Sequence, residues 1–228
     1  MTALVRMRLA AFVRSGRALA PLITGLVVLG VIYGGGASLA GRAYGYSAVM
    51  LFPVLAWQSK LVFDAEPDVQ RRLARVAVGA RREVTAGVLA ATVLALAACA
   101  VAMIAPWLFN AIRQPDPGEP SMAVGVTLGV LAHLLAVPAA VALGALAGRP
   151  VTGSVLNGVA VLVSGSVLVI VLGLTSSVVP WLVPPVMAVA RALQGTPGPG
   201  RILLLTGHAV LWSAVALAGY AWLRRRRA

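Results

Sequence analysis

The chain has 228 residues, of which 60% are hydrophobic and 11% are charged, and its formal net charge is +13. So little charge excludes a soluble globular domain, which carries charge on about a quarter of its residues. A strongly basic soluble chain would suggest a nucleic-acid partner, but the long apolar runs exclude that interpretation. The single cysteine, Cys99, lies in one of these runs, so neither a disulfide framework nor a metal-ligand spacing is present.

Residues 1–17 are predicted to form an amphipathic helix at the cytoplasmic membrane surface. Its apolar face comprises Leu4, Val5, Leu9, Phe12 and Val13, and its basic face comprises Arg6, Arg14 and Arg17. Arg8 interrupts this pattern. A cleaved signal peptide is the alternative, because Ser38-Leu39-Ala40 resembles a small-residue cleavage site, although the basic region is long for such a peptide.

Six hydrophobic runs follow, each near the roughly 20 residues that an α-helix needs to cross a hydrocarbon core of about 30 Å. Their approximate bounds are 18–33, 46–63, 85–107, 122–146, 155–174 and 202–223. Pro53 and Pro138 lie inside two of them, where neighbouring helices can satisfy the freed backbone groups. The chain is therefore predicted to be an all-α polytopic membrane protein, with residues 1–228 forming one transmembrane domain without internal repeats.

The polar stretch 60–84 separates the second run from the third and is predicted to contain a helix over 64–79. Asp64 is its predicted N-cap, and Gly79 follows its last turn. Val69, Leu73 and Val76 form a narrow apolar stripe at i, i+4 and i+7, opposite Arg71, Arg72 and Arg75. Such a helix is too short to cross a bilayer, so we interpret it as a docking element. A solvated or membrane-surface linker is the alternative.

The segment 175–200, before the last run, is too apolar for an ordinary loop and too interrupted to cross a membrane. Pro184 and Pro185 predict the start of a short helix that continues to Leu193, and the glycines and prolines of 195–200 end it. We interpret the segment as a re-entrant hairpin that enters the outer leaflet. A helix lying flat on the outer surface is the alternative.

The distribution of basic residues predicts the orientation. With six spans and both termini in the cytoplasm, only Arg42, Arg113, Arg191 and Arg201 of the 19 basic residues lie outside. The rest, including the terminal arginines 224–227, lie inside, as the positive-inside rule requires. Abundant Ala, Val, Gly and Arg with a single Lys indicate a bacterium with a G+C-rich genome, and hence the bacterial cytoplasmic membrane.

This order of elements resembles the membrane subunit of a bacterial ATP-binding-cassette exporter of the ABCG-like, type V class. The run QRRLARVAVGARREVTAG, residues 70–87, is similar to the segment in which that family's coupling helix leads into the third span. The order of elements covers nearly the whole chain, whereas the motif covers only those residues. The acidic residue common within the family's loop helix is represented here only at its start, by Glu66 and Asp68.

The resemblance implies a permease that moves a hydrophobic or amphipathic substrate, such as a drug, peptide or lipid, outward through the lipid membrane. The chain contains no G-x-x-x-x-G-K-[ST] sequence, so ATP and Mg would be bound by a separate ATPase, present in two copies. Two permeases would pair as a homodimer or a heterodimer. This chain itself is expected to bind neither cofactor nor metal, to contact no nucleic acid and to catalyse no reaction.

The resemblance also assigns two sets of site residues. The coupling set that would contact the ATPase is Glu66, Val69, Arg71, Arg72, Leu73, Arg75 and Val76. In the family the second and fifth spans line the route at the dimer interface, where the polar candidates here are Ser47, Gln58, Asn157 and Ser164. Hydrogen bonds between helices explain those four residues equally well.

Three other functions remain open. A secondary transporter needs an ionisable group within the membrane, but all six acidic residues are predicted in loops or at a span boundary, leaving His133 and His208. A membrane-embedded hydrolase needs clustered His, Asp or Glu, which two isolated histidines do not supply. A non-transporting regulatory or immunity protein would share every feature except the docking helix.

Overall fold

The structure is a computed structural model, and it describes residues 1–226 as a bundle of α-helices. In chain order the helices are α1 (Thr2–Arg14), α2 (Leu19–Tyr33), α3 (Ala40–Ala65), α4 (Asp68–Val78), α5 (Ala80–Leu108), α6 (Met122–Ala147), α7 (Arg149–Thr152), α8 (Val155–Leu172), α9 (Val186–Ala192) and α10 (Pro199–Arg226). A 3₁₀ turn, Pro180–Leu182, precedes α9. Within residues 1–226 the only β-type pairing is an isolated bridge between Ser38 and Ile112, so the predicted all-α class is confirmed. Arg227, assigned to the cytoplasmic side from the sequence, lies outside the described residues.

Five helices, α3, α5, α6, α8 and α10, are long and apolar enough to cross a membrane, as expected of a multi-pass membrane protein. They correspond to the predicted second to sixth runs, although α3 begins earlier than expected, at Ala40. α2 corresponds to the first run but has only 15 residues. α2 is long and apolar enough to cross a membrane only when it is counted together with α1, from which it is bent by 76°.

Helix α3 lies at the centre of the bundle and packs most extensively against α6. Glycines on α6 make this approach close. A Cβ atom at Gly144 would lie 2.5 Å from the carbonyl oxygen of Ala56, and one at Gly129 would lie 2.6 Å from the Tyr44 side chain. Small residues let helices pack closely in lipid, where dispersion forces between their surfaces replace the hydrophobic effect. The α3–α6 pair is therefore the framework on which the other helices pack.

The link between α3 and α4 corrects the predicted loop helix. Asp64 is not an N-cap, because α3 continues through Ala65. The break falls at Glu66, which has extended backbone angles (φ −87°, ψ 125°), as expected for the residue before Pro67. α4 ends before Gly79, whose φ of 86° is strained for other residues.

Both ends of the described chain lie at one end of the bundle. Arg8 of α1 and Arg224 of α10 each donate a hydrogen bond to the carboxylate of Glu83, near the start of α5. We call this the basic end and define it by these three residues.

Helix α2 extends from the basic end to the opposite end. Just before it, Arg17 donates a hydrogen bond to the carbonyl oxygen of Asp64, on the last turn of α3. Near its other end, Gly30 approaches the ring of Phe109, which follows the last residue of α5. α2 therefore traverses the bundle despite its short length.

The segment between α8 and α10 packs into the bundle. The indole Nε1 of Trp212 donates to the carbonyl oxygen of Leu182 at 2.8 Å, and Val186 and Val189 of α9 are buried. The Cβ of a residue at position 45 would lie 3.1 Å from the carbonyl oxygen of Ala190, so Gly45 of α3 allows α9 to pack closely. The short helix expected after Pro184-Pro185 thus corresponds to α9.

Candidate functional site

Helix α4 turns its apolar stripe away from the rest of the chain. Val69, Leu73 and Val76 are 68%, 63% and 88% exposed. In a monomeric protein an amphipathic surface helix normally turns its apolar face toward the core. The polarity of α4 is therefore inverted, and exposed apolar side chains of this kind mark surfaces that contact another protein or a membrane.

On the opposite face of α4, Arg75 reaches another helix of the bundle, whereas Arg71 binds groups of α4 and of the link before it. Arg71 is 8% exposed, pairs with the carboxylate of Asp68 and donates to the carbonyl oxygen of Glu66. Arg75 lies with its Nε 3.5 Å from a carboxylate oxygen of Glu83. Only Arg72 is exposed. The predicted outward role therefore suits Arg72, whereas Arg71 and Arg75 bind groups of their own chain.

Glu66 also points inward and does not lie on the outward face assigned to it. It is 7% exposed, and its Oε2 accepts a hydrogen bond from Arg8 at 2.5 Å. Arg8 was the exception in the amphipathic pattern of the N-terminal helix, and this contact explains why. Its guanidinium reaches into the bundle while the neighbouring arginines of α1 stay exposed.

Arg8, Glu66, Arg75, Glu83 and Arg224 form one buried network, which we call the Glu83 cluster. Glu83 is 1% exposed, and Arg8 and Arg224 each lie 2.6 Å from one of its carboxylate oxygens. Removing one partner from a buried ion pair leaves an uncompensated charge and is strongly destabilising. The cluster therefore connects α1, α4, α5 and α10 rigidly at the basic end.

A second network, the Asp64 cluster, joins Asp64 to Arg17, Lys60 and Arg149. Lys60 Nζ lies 2.5 Å from Asp64 Oδ2, and the backbone N–H of Arg149 donates to Oδ1 at 2.7 Å. Arg17 and Arg149 both donate through their guanidinium groups to the carbonyl oxygen of Asp64. Lys60 therefore pairs with the Asp64 carboxylate, and two guanidinium groups bind the backbone oxygen of the same residue.

A groove of about 850 Å³ runs between α2, α3 and α8 and ends at the Asp64 cluster. We call it the lateral groove. Its walls are mainly apolar and include Pro53, Trp57 and Leu61 on α3 and Val159, Leu162, Val163 and Ser166 on α8. Val159 and Val163 are exposed, so the groove opens to the surroundings of the bundle. A groove with apolar walls and a charged end suits an amphipathic molecule.

The four sequence-predicted pathway residues do not come together in the lateral groove. Ser47 is buried in the interior, where its hydroxyl lies 3.3 Å from His133 Nε2. Gln58 is half-buried beside the groove residue Trp57, and no hydrogen bond of its side chain is found within residues 1–226. Asn157 and Ser164 are exposed on a different face of α8.

Both histidines have partners within the chain. His133 is 1% exposed, and its Nδ1 lies 2.9 Å from the carbonyl oxygen of Gly129. His208 Nε2 lies 3.1 Å from the carbonyl oxygen of Trp181. These contacts agree with packing roles for both.

The sequence-based assignment omitted Ser166 and the Asp64 cluster. Ser166 is 8% exposed, lines the lateral groove and has no hydrogen-bond partner for its hydroxyl within the described residues. A signal for Lys60 and Asp64 was present, because their i, i+4 spacing on a helix predicts an ion pair. Ser166 carries no such signal, since the sequence does not indicate which face of α8 lines a groove.

No family model, curated protein or solved structure matches this chain.

Proposed function

We propose that this chain is the permease subunit of an ATP-binding-cassette exporter, which moves a hydrophobic or amphipathic substrate outward. The inverted polarity of α4 is the observation that carries the proposal. Its apolar stripe faces outward, where a separate ATPase would bind it, while Arg75 attaches its inner face to Glu83 of α5. A freely moving linker would need no such attachment.

The Glu83 cluster supplies a route for force from the ATPase to the membrane helices. A displacement of α4 acts through Arg75 on Glu83 at the start of α5, and Glu83 in turn binds Arg224 near the end of α10. The link from α3 moves with them, because Arg8 binds both Glu66 and Glu83. Closure of two ATPase subunits on ATP would in this way tilt several helices together.

The proposed topology has six spans, with the basic end in the cytoplasm. α2 is counted as a span because it traverses the bundle from the Asp64 cluster to Phe109. The surplus of arginines at the basic end supports its cytoplasmic orientation. The chain would lie in a bacterial cytoplasmic membrane with both termini inside.

The segment 175–200 is proposed to be a re-entrant hairpin and not a surface helix. Trp212 lies thirteen residues after Pro199, the first residue of α10. At 1.5 Å per residue, this places its indole about 20 Å along the helix from the outer end. Since that indole binds the carbonyl oxygen of Leu182, the segment reaches well below the outer surface.

The lateral groove is the proposed route for the substrate. It lies between α3 and α8, the second and fifth spans, and in a dimer of permeases two such grooves would face each other. Ser166 and Lys60 are among the polar residues of its wall that a substrate would meet, with Thr24 and the other members of the Asp64 cluster. Asn157 and Ser164 lie outside it, so they are not part of this route. ATP and Mg would be held by the two ATPase copies, and the second permease would be an identical or a related chain.

A secondary transporter is the second candidate, and one observation favours it. The acidic residues were predicted in loops or at a span boundary, and Asp64 lies on the last turn of α3, where it is buried and borders the lateral groove with Lys60. A buried carboxylate beside a substrate route is a common feature of ion-coupled carriers.

The substitution Leu73→Asp tests the exporter proposal. It places a charge in the centre of the proposed contact and should cost at least about 2 kcal/mol of association with the ATPase, about thirtyfold in affinity. The measurement is the amount of ATPase that copurifies from native membranes, beside the membrane yield of the variant.

Two control variants sharpen this test. Gln70→Asp introduces the same charge at the edge of the stripe, and Arg72→Ala removes the exposed arginine. Each should cost less than about 1 kcal/mol, the arginine change mainly through altered salt dependence. A Leu73→Asp protein that inserts normally and retains its ATPase would reduce α4 to a linker and contradict the proposal.

A further inference from the structure

A second cavity, of about 430 Å³, lies at the basic end between α4, α7 and α10. Its charged wall residues are Asp68, Arg71, Arg72, Arg75, Arg149 and Arg224. We call it the arginine pocket. Because arginine stays protonated in proteins, five guanidinium groups face one carboxylate, an excess of four positive charges.

The charge of the arginine pocket is only partly compensated by the protein itself. Asp68, its one acidic wall residue, is 75% exposed and is occupied by Arg71. Glu83 binds Arg75 and Arg224 from outside the wall, but it is shared with Arg8. Burial lowers the pKa of Arg71, and the nearby Arg224 lowers it further, whereas Asp68 acts in the opposite direction. The pocket is thus a recess of net positive charge that is suited to an anion.

Unpartnered donors indicate where that anion would bind. The Nε atoms of Arg71 and Arg149 are buried and have no hydrogen-bond partner within the described residues, whereas Arg75 Nε lies 3.5 Å from a carboxylate oxygen of Glu83. Burying a donor without an acceptor is unfavourable, because the donor loses its hydrogen bond to water and gains none. Arg71 itself is 8% exposed, so water reaches it poorly. Two such donors, on residues that line one cavity, favour an acceptor that several guanidinium groups share.

We propose that the arginine pocket binds a phosphate-bearing anion, either a phosphate monoester or a phosphodiester. Arginine binds phosphate through paired N–H groups, and the several oxygens of a phosphate can accept from guanidinium groups on different helices. A single carboxylate has too few oxygens for donors on α4, α7 and α10 together. The pocket volume accommodates a headgroup or a small polyphosphate. This inference does not depend on the exporter proposal.

Two sources can supply this chemistry. The first is the headgroup of an anionic phospholipid, since basic pockets at the cytoplasmic ends of membrane helices bind such headgroups. Trp222 supports membrane proximity, because it is exposed two residues before Arg224, and tryptophans concentrate at membrane interfaces. The second is a soluble phosphate compound. In either case the bound anion would connect α4 to α7 and α10 and fix the orientation of the docking helix.

The test uses the full-length protein, purified in detergent and freed of lipid, with pyrophosphate as the soluble probe in calorimetric titrations. In parallel, native mass spectrometry measures phosphatidylglycerol retained from nanodiscs that also contain phosphatidylcholine. Arg72→Gln, at an exposed residue, should weaken binding about fivefold. Arg71→Gln should weaken it tenfold or more, because a charge-assisted contact is lost from a buried site. It should still fold, because its partner Asp68 is solvated.

Arg82→Gln is the matched control. It removes the same charge from an exposed residue of the basic end that does not line the pocket, and it should change affinity by less than about twofold. Pyrophosphate binding that depends on Arg71 supports a soluble ligand. Retention of phosphatidylglycerol that depends on Arg71, without pyrophosphate binding, supports a lipid. If neither probe binds, or if Arg71→Gln and Arg82→Gln behave alike, the proposal is wrong.

Discussion

Glu83 is the residue on which the basic end depends most. Its carboxylate is almost fully buried and accepts from Arg8 and Arg224, while Arg75 lies nearby. Buried ion pairs of this kind add little net stability compared with apolar residues, but losing one partner is costly. Glu83 therefore determines how α1, α4, α5 and α10 sit relative to each other more than it determines the total stability.

Glu83→Gln should lower the free energy of unfolding by about 3–5 kcal/mol, because Arg75 and Arg224 would lose their carboxylate partner and Arg8 would keep only Glu66. Thermal unfolding of the purified protein in detergent measures the change. Asp116→Asn is the control, since Asp116 is an exposed carboxylate paired with Arg113 at the opposite end, and it should have little effect. Equal stability of the two variants would show that the Glu83 cluster does not hold these helices together.

For individual residues, the sequence predicted only some of the contacts in the Glu83 and Asp64 clusters. It identified Arg8 as an exception on its helix, but its partner Glu83 is 75 residues away in the chain. Helical spacing describes neighbours within one or two turns and carries no information about such distant pairs. For the same reason the Asp64 cluster could be foreseen only in its local pair, Lys60 and Asp64, and not in its contact with Arg149.

Helix α4 shows what periodicity can and cannot predict for a whole element. Its spacing correctly grouped Val69, Leu73 and Val76 on one face, with Arg71 and Arg75 opposite. The periodicity could not predict which face of α4 packs against the bundle, because a helix that docks onto a partner reverses the usual orientation. The inverted orientation depends on the arginine contacts with carboxylates and backbone oxygens that lie outside α4.

Most helix bounds followed from the sequence because hydrophobic runs end where Gly or Pro interrupts them. α3 is the main exception, since its first residues, 40–45, lie before the predicted start of the second run at 46. They are helical because Gly41 and Gly45 allow close packing against Leu193 and Ala190 from the segment around α9. This tertiary contact overrides the local composition.

The α3–α6 pair can be tested through its glycines. In Gly144→Ala the new Cβ would lie 2.5 Å from both the Ala56 carbonyl oxygen and the Ser59 Cβ, neither of which can move without shifting α3. Overpacking of this kind should cost about 1–3 kcal/mol of stability, measured as thermal unfolding in detergent.

Gly207→Ala is the control for that change. Position 207 lies in α10 with no atom within 4 Å of a new Cβ, so alanine should be neutral or stabilising by up to about 1 kcal/mol through helix propensity. If Gly144→Ala were as stable as Gly207→Ala, the close approach of α3 and α6 would not be important to the fold.

For the whole molecule, the arginine distribution predicts that both termini are cytoplasmic. Reporters fused after Arg17 and after Ala228 should behave as cytoplasmic proteins, and one inserted in 114–120 should be external. The contacts of Arg8 and Arg224 with Glu83 bring both ends of the described chain to one side of the bundle. An external signal from the C-terminal fusion would contradict the six-span topology.

The energy source distinguishes the two candidate transport functions. As an exporter subunit, the protein should move substrate in vesicles when a protonophore is present and stop when a nonhydrolysable analogue replaces ATP. The reverse result would favour the secondary transporter. Asp64, together with His133 and His208, would then become the residues to examine for ion coupling.

The exposed stripe of α4 also bears on how the cell makes this protein. A chain synthesised without its partner leaves Val69, Leu73 and Val76 in contact with water. Such surfaces attract chaperones and proteases and promote self-association. We therefore expect solitary copies to be short-lived, so that the abundance of this subunit follows that of the protein that covers the stripe. Production in a host that lacks the partner should yield little material, and co-expression should restore it.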